Sequence, residues 1–515
     1  MSHLNNSVVT QAFGDEADSI ASRIARRDHT LWSDSPGEVS DRLGWLDIAS
    51  RMRSHVDDLT AVADGVKVDG FTSAVLCGMG GSSLGPEVLR RSIGSAPGFP
   101  VLRVLDSTSP EVIGALRAEV DLATTLFIIS SKSGSTIEPN ALYAYFRAEV
   151  EAIVGDTAGS HFVAVTDPGS SLAGLGADAG FRRVFLADPN IGGRYSVLSH
   201  FGLVPAAVAG IDIGRLLDSA VSIEEQLQAG SDVRESLAWQ IAANLSIAYK
   251  GRRDKVTFME DKNSSGFGLW AEQLLAESLG KFGKGVVPIA NEPELPNRAY
   301  GSDRLIANIS PEIAQSRIPG IDSSIVDPYD LGGLFLAWEY ATAVFGVELG
   351  IQPFDQPNVQ AVKDATDRIL SEPNQTAISS VSSLNELLKQ QQNGDYLAIM
   401  AFVPENDETN GVLADLRRGV SERTGLATTL GYGPRFLHST GQLHKGGPNN
   451  ILAFQITQDH EHNLRIPGKD FGFAELIDAQ AAGDLNALTS AGRRVARAHF
   501  DGNVVEQLRD LVESI

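Results

Sequence analysis

Thr124-Thr-Leu-Phe-Ile-Ile-Ser-Ser-Lys-Ser-Gly-Ser-Thr136 is the stretch on which the fold turns. Its first half is an unbroken apolar run and reads as a buried strand. A hydroxyl-rich turn, Ser130 to Thr136, follows it. Next comes Ile137-Glu-Pro-Asn-Ala-Leu-Tyr-Ala-Tyr-Phe-Arg-Ala-Glu-Val, whose apolar positions recur with helical spacing. A strand, a tight turn and a helix N-terminus together make an anion site. The unpaired amides of the first helical turn point out of the helix, and the dipole favours negative charge. Ser131, Ser133, Ser135 and Thr136 add hydroxyl donors around a tetrahedral oxyanion, and Lys132 adds charge. The plainer reading is a helix N-cap with spare hydroxyls, but one cap uses one hydroxyl.

Working outward, the same strand–turn–helix pattern repeats. Ser73-Ala-Val-Leu-Cys77 reads as a strand, Gly78-Met-Gly80-Gly81-Ser82-Ser83 as a glycine turn, and Pro86-Glu-Val-Leu-Arg-Arg as a helix with proline in its first turn. Val101 to Leu105 is a further strand, ending at Asp106, and His161 to Thr166 another. This repeat predicts an α/β fold with a parallel sheet and working loops at its carboxyl edge. Gly78-x-Gly80-x-x-Ser83 supplies two of the three glycines of a dinucleotide fingerprint, with Asp106 where the ribose-binding acid would stand. Ser83 occupies the position that needs glycine for close helix–strand packing, so no nucleotide cofactor is expected. The turn suits close approach to a sugar at Gly81, with Ser82 and Ser83 as donors.

The whole chain sets limits on function. With 515 residues it is too long for one ordinary core. Its 43% hydrophobic and 21% charged residues and 51 glycines are those of a globular α/β enzyme. A net charge of −23 disfavours nucleic acid or an anionic membrane as partner, and confines any anionic substrate to a local positive island. The single cysteine, Cys77, rules out a disulfide framework and a cysteine-rich metal site. Neither a signal peptide nor a membrane span is expected, which makes the cytoplasm the default compartment.

Three further motifs stand out. Gly192-Gly-Arg194-Tyr-Ser196 sets one guanidinium on a loop able to fold tightly; alone, it reads more readily as a solvated loop arginine. In Leu269-Trp-Ala-Glu-Gln-Leu-Leu-Ala-Glu277-Ser-Leu-Gly280, Glu277 ends a helix, the unfavourable end of the dipole for a carboxylate. It is a candidate general base or, more plainly, a surface glutamate paired with Lys281 or Lys284. Phe354-Asp-Gln-Pro-Asn358 leads into a helix that carries Lys363. A Ser-, Asn- and Gln-rich segment, 371–393, reads as a boundary. Beyond it are strands at 396–403, 426–430 and 451–457, a helix at 411–424, and final helices expected at 485–498 and 504–512. Between them stands Arg435-Phe-Leu-His438-Ser-Thr-Gly-Gln442-Leu-His444-Lys-Gly-Gly-Pro448. His460-Glu-His462 is too sparse for a metal site, and no metal or other cofactor is expected.

Taken together these motifs resemble the glucose-6-phosphate isomerase family. The resemblance runs in order from about residue 70 to 365: the Cys77–Pro86 turn resembles GxGGSxLGP, 131–136 the phosphate loop SKTxTT, and 192–196 the GGRxS signature. It implies two sugar-isomerase (SIS) domains, each a parallel sheet flanked by helices, and interconversion of glucose 6-phosphate and fructose 6-phosphate through an enediolate. By it Glu277 is the proton-shuttling base and Arg194 steadies the enediolate. Lys363 contacts the sugar, although Asn358 and Gln360 replace Gly and Glu of FDQxGVExxK. His438-Ser-Thr-Gly-Gln442 resembles HSxGQ, whose histidine opens the sugar ring; here it follows the lysine motif, whereas in bacterial members it precedes it. That layout is similar to the isomerase half of transaldolase–glucose-6-phosphate isomerase fusion proteins. The catalytic set implied is Glu277, His438, Lys363 and Arg194, with His444 as rival to His438; Gly81, Ser82, Ser131, Lys132, Ser133, Ser135 and Thr136 hold the substrate. Four parts are expected: a helical arm to 65, SIS domains at 66–215 and 216–370, and a C-terminal α/β segment at 371–515. The resemblance also implies a homodimer with a site completed across subunits. Two alternatives stand beside it, an isomerase also accepting mannose 6-phosphate and a non-catalytic SIS regulator.

Overall fold

A computed structural model describes residues 6–228, 230–311, 318–358, 366, 368–370 and 383–515. Gln360, Lys363 and residues 371–382 of the expected boundary lie outside the described residues. Thirteen strands form three sheets among the described residues, and every strand pair is parallel.

The first sheet contains β1 (Ser73–Cys77), β2 (Val101–Leu105), β3 (Thr125–Ser130), β4 (Phe162–Thr166) and β5 (Arg183–Leu186), in the order β2-β1-β3-β4-β5. Its central strands are apolar throughout because both faces are covered. Ala74 and Leu76 of β1 face one layer with Leu126 and Ile128 of β3. Val75 and Cys77, with Phe127 and Ile129, face the other. This makes three layers, helix–sheet–helix. Strand order reverses at β1, so the loops after β1 and β3 flank a switch point, where α/β sheets open a crevice beyond their strand ends.

The second sheet has β6 (Lys255–Met259), β7 (Val287–Ile289), β8 (Arg304–Asn308) and β9 (Gly320–Asp322) in the order β7-β6-β8-β9. The third has β10 (Tyr396–Phe402), β11 (Ala427–Tyr432), β12 (Ile451–Gln458) and β13 (Arg494–Phe500) in the order β11-β10-β12-β13. Both repeat the winding of the first. Edge strands β7 and β11 share one apolar cluster. Arg417 joins them, donating to the carbonyls of Asn291 (2.6 Å), Ala290 (3.2 Å) and Thr428 (2.8 Å).

Two structural details depart from the sequence reading. The helix expected at 485–498 is instead helix Phe473–Ser490 followed by β13. Gly492, with φ +67°, breaks the helix where few side chains would tolerate the backbone, and the chain re-emerges extended. Strands β5, β8 and β9 had no strong apolar signature and were not anticipated. The N-terminal helices pack against the helical layer behind the sheet: Trp45 is fully buried and stacks on Tyr195 with ring centroids 5.0 Å apart.

Candidate active site

The turn after β3 carries its hydroxyls in two hydrogen-bonded pairs. Ser131 Oγ donates to Thr136 Oγ1 (3.1 Å) and accepts from the Gly134 amide (3.2 Å), while Ser133 and Ser135 hydroxyls lie 3.0 Å apart. Thr136 is the N-cap of helix Ile137–Val154 yet makes no side-chain cap. The capping explanation therefore does not account for these hydroxyls, and the helix N-terminus remains an anion-favouring surface. Gly134 has φ +70° and a side chain there would meet the Leu172 amide at 2.7 Å, so the tight turn requires glycine. Lys132 ion-pairs with Asp167 and donates to the Pro189 carbonyl (3.1 Å), so its charge is already matched within the chain.

The glycine turn after β1 sits against two other motifs. A Cβ on Gly81 would lie 1.9 Å from the Gly193 carbonyl oxygen, and one on Gly80 2.7 Å from that of His438. Only a bare backbone lets the Gly78–Ser83 and Gly192–Ser196 loops meet. Ser82 is buried in this turn. The Ser83 hydroxyl is committed to Gly80 O and Asp106 Oδ2 (both 3.2 Å) and is not a sugar donor in this arrangement. Asp106, in the place of a ribose-binding acid, instead receives both Nε (2.8 Å) and Nη2 (2.7 Å) of Arg435.

Glu277 and Arg194 are neighbours. Glu277 lies near the end of helix Phe267–Leu279, largely buried, with Arg194 Nη1 3.4 Å from its carboxylate and Gln273 Nε2 donating to it at 3.0 Å. Arg194 is 2% exposed and its other donors are occupied: Nε by Ser278 Oγ (2.8 Å), Nη1 by Gln356 (2.7 Å), and Nη2 by the Pro353 and Asp355 carbonyls (2.6 and 3.0 Å). The guanidinium is thus held rigidly with one edge toward the carboxylate. Glu272, five residues before Glu277, turns to a different helix face. It accepts from the Ala290 amide (3.0 Å), and burial pushes its carboxyl up to about 8.

His438 reaches the same place from the third sheet. Its Nε2 lies 2.9 Å from Glu138 Oε1, which also accepts from Gln480 Nε2 (2.7 Å). The His438 carbonyl accepts from Gln273 Nε2 (2.8 Å), the amide that also holds Glu277. Glu138, two residues beyond the phosphate loop, escaped the sequence reading; its only signal was a carboxylate in the first turn of that helix. His444 is elsewhere: it is buried, with ring centroids 6.1 Å from Phe436 and 6.5 Å from Tyr396, and burial with Lys445 and Arg493 nearby holds its imidazole well below the usual range. Gln442 joins the remaining motifs, donating to the Gly280 carbonyl (3.0 Å) and Asn358 Oδ1 (2.8 Å). Asn358, where the family pattern has glycine, therefore contributes a side-chain acceptor. Lys363 lies outside the described residues.

The phosphoglucose isomerase family model matches residues 16–286, just over half of the chain. The chain belongs to this family. It is accordingly an aldose–ketose isomerase that interconverts glucose 6-phosphate and fructose 6-phosphate, and the regulator alternative is set aside. Among relatives, the glucose-6-phosphate isomerase of Rubrobacter xylanophilus is 29% identical over 418 residues, covering 70% of this chain and 95% of that one. The enzyme of Staphylococcus aureus is 26% identical, with 72% and 96% covered. A hypothetical protein from Thermus thermophilus superposes with TM-score 0.59 at 26% identity, covering 70% of this chain and 98% of that one. A glucose-6-phosphate isomerase from Chlamydia trachomatis shares the fold with TM-score 0.50 at 19% identity, covering 72% and 85%. The family match ends one residue before β7, so the segment that carries His438 lies beyond it.

Proposed function

We propose that Glu277 carries the proton between the first two sugar carbons while Arg194 faces the developing enediolate. The observation that carries this reading is the single line of contacts from the phosphate loop through Glu138, His438 and Gln273 to Glu277 and Arg194. The 131–136 loop anchors the phosphate through hydroxyls and helix amides, with Lys132 taking part through its backbone. Binding energy from that remote group holds the reacting carbons against Glu277. Glu277 removes the proton from C2 of the open aldose; electrons move into the C1–C2 bond and the carbonyl oxygen becomes the enediolate oxyanion. The O2 hydroxyl proton passes to O1, the carboxyl returns its own proton to C1, and the carbonyl is left at C2. The fixed guanidinium of Arg194 needs no reorganisation to meet that charge. His438, oriented by Glu138, delivers a proton to the ring oxygen as the C1–O5 bond breaks and the O1 hydroxyl gives up its own, and Gly81 and Ser82 line the sugar side. Lys363 is retained as a sugar contact on the family resemblance alone.

We take the assembly to be a homodimer in the cytoplasm. His438 and Glu138 of one chain lie 2.9 Å apart, which supports a ring-opening pair assembled without a partner. Specific activity independent of dilution would agree with that. The division of the chain at about 65, 215 and 370 stays a proposal, supported by each sheet falling within one part.

Glu277→Gln tests the central assignment. The amide keeps the shape but accepts no proton, so turnover should fall about 10²–10⁴-fold while substrate still binds. Exchange of the transferred hydrogen with deuterated solvent should stop. A variant turning over at a normal rate would remove Glu277 from the reaction.

A further inference from the structure

The turn that follows the catalytic helix contains a lysine with no access to solvent. Lys281 is 0% exposed, four residues beyond Glu277, and its ammonium reaches Gln352 and Asp355. Its ammonium ion-pairs with Asp355 and donates to the Gln352 carbonyl (2.7 Å). The segment it grips is the one that holds Arg194. Pro353 and Asp355 give their carbonyls to Nη2, and Gln356 gives its side-chain oxygen to Nη1. The segment is also folded on itself, since Gln352 Oε1 accepts from the amides of Phe354 (2.8 Å) and Asp355 (2.6 Å).

We propose that Lys281 is a positioning residue for the isomerisation: by clamping residues 352–356 it sets where the Arg194 guanidinium stands relative to Glu277. This rests on the role given to Arg194 above. A burial this complete is costly for an ammonium unless a carboxylate and carbonyls receive it, and the clamp lasts only while Lys281 is charged. The groups facing it are Asp355 from the 352–356 segment, Arg194 from its turn and Glu277 from the preceding helix. Burial, with Arg194 adding to it, lowers the lysine to about 8. The charged form, and with it the clamp, is therefore lost as pH rises through that value, which gives turnover an alkaline limb.

The test combines kinetics and pH on the full chain. Lys281→Met should lower kcat at least tenfold and leave KM for fructose 6-phosphate within about threefold, because the phosphate anchor is untouched. Asp355→Asn should lower kcat similarly, and the double variant should be no worse than the more damaged single one. In pH profiles of kcat, Lys281→Arg should move the alkaline limb upward by at least one unit, and Asp355→Asn should move it downward. Should Lys281→Met fail to fold, these two limb shifts decide the matter. A folded Lys281→Met enzyme with normal kcat, losses that multiply in the double variant, or a limb unmoved in both Lys281→Arg and Asp355→Asn would overturn the proposal. Arg194→Lys run alongside separates the two readings. If it keeps full turnover, the role of Arg194 falls; if it loses turnover while Lys281→Met does not, only the clamp falls.

Discussion

The loops after β1 and β3 and the segment 435–446 converge on one crevice but arrive there differently. The first two are short connections at the edge of a single sheet, placed by the reversal of strand order at β1. The third comes from another sheet, 300 residues away in sequence at its contact between His438 and Glu138. Side chains of the third sheet's part hold it against the first sheet: Arg435 on Asp106, Gln480 on Glu138 and Thr108, and His460 on Glu111 (2.8 Å). An edge loop inherits its position from strand pairing, whereas a docked segment needs charged and polar contacts to fix its place. Substitutions in the first should therefore act on binding, and those in the second on ring opening and on docking.

The largest effect is expected at the sheet edge. Ser131→Ala, Ser133→Ala and Thr136→Ala together remove several hydrogen bonds to a charged group, each worth about 1.5–3 kcal/mol. KM for the phosphosugar should rise by about 10³-fold, and competitive inhibition by inorganic phosphate should weaken in parallel, with near-normal thermal stability. An unchanged KM would mean that these hydroxyls serve folding only.

The docked segment should give a smaller, substrate-dependent loss. His438→Ala should slow glucose 6-phosphate by about 10²-fold, the lower end for acid–base catalysis. A four-carbon aldose phosphate that cannot close a pyranose should lose much less. Glu138→Gln should reproduce part of the same pattern by releasing the imidazole. His444→Ala should leave the rate alone and cost stability, about 1–3 kcal/mol for a truncated buried ring. Equal losses on cyclic and open substrates would take the ring-opening role from His438.

The smallest effect concerns the docking contact at His460. Its ring nitrogens face Glu111 at 2.8 Å and Asp478 at 3.6 Å. Although burial opposes it, those carboxylates raise the imidazole from 6.5 to about 9. A raised folded value means that the stabilisation is fully present below 6.5 and lost as pH rises through 9. Wild type should lose about 1–2 kcal/mol across that window, measured by denaturant unfolding. His460→Gln should flatten this part of the pH dependence, and a slope unchanged in that variant would assign it to another group.

Much of the site was legible in the sequence because its signals are local. An apolar strand, glycines at a tight turn and hydroxyls before a helix each express backbone preferences over a few residues, and they placed the 131–136 loop and the 78–83 turn, whereas Glu277 was singled out by the family resemblance. Glu138 was not legible, because a glutamate in a first helical turn is ordinary and only its distant partner gives it meaning. The helix wrongly expected at 485–498 shows the limit of periodicity: Gly492 and docking against β12 override it.

The sequence alone determined the α/β class and the switch-point loops, because dihedral preference and motif order are written residue by residue, and it named Glu277, Arg194 and His438 as candidates through the family resemblance. Tertiary structure decided the pairings. It gave Lys132 to Asp167, Asp106 to Arg435, Asn358 to Gln442, and Glu138 to His438 rather than to His444. The first of these choices depends on which loops neighbour one another along a sheet edge, and the other three on how separately wound sheets dock. An ion pair or hydrogen bond forms between groups brought within a few ångströms, whatever length of chain separates them.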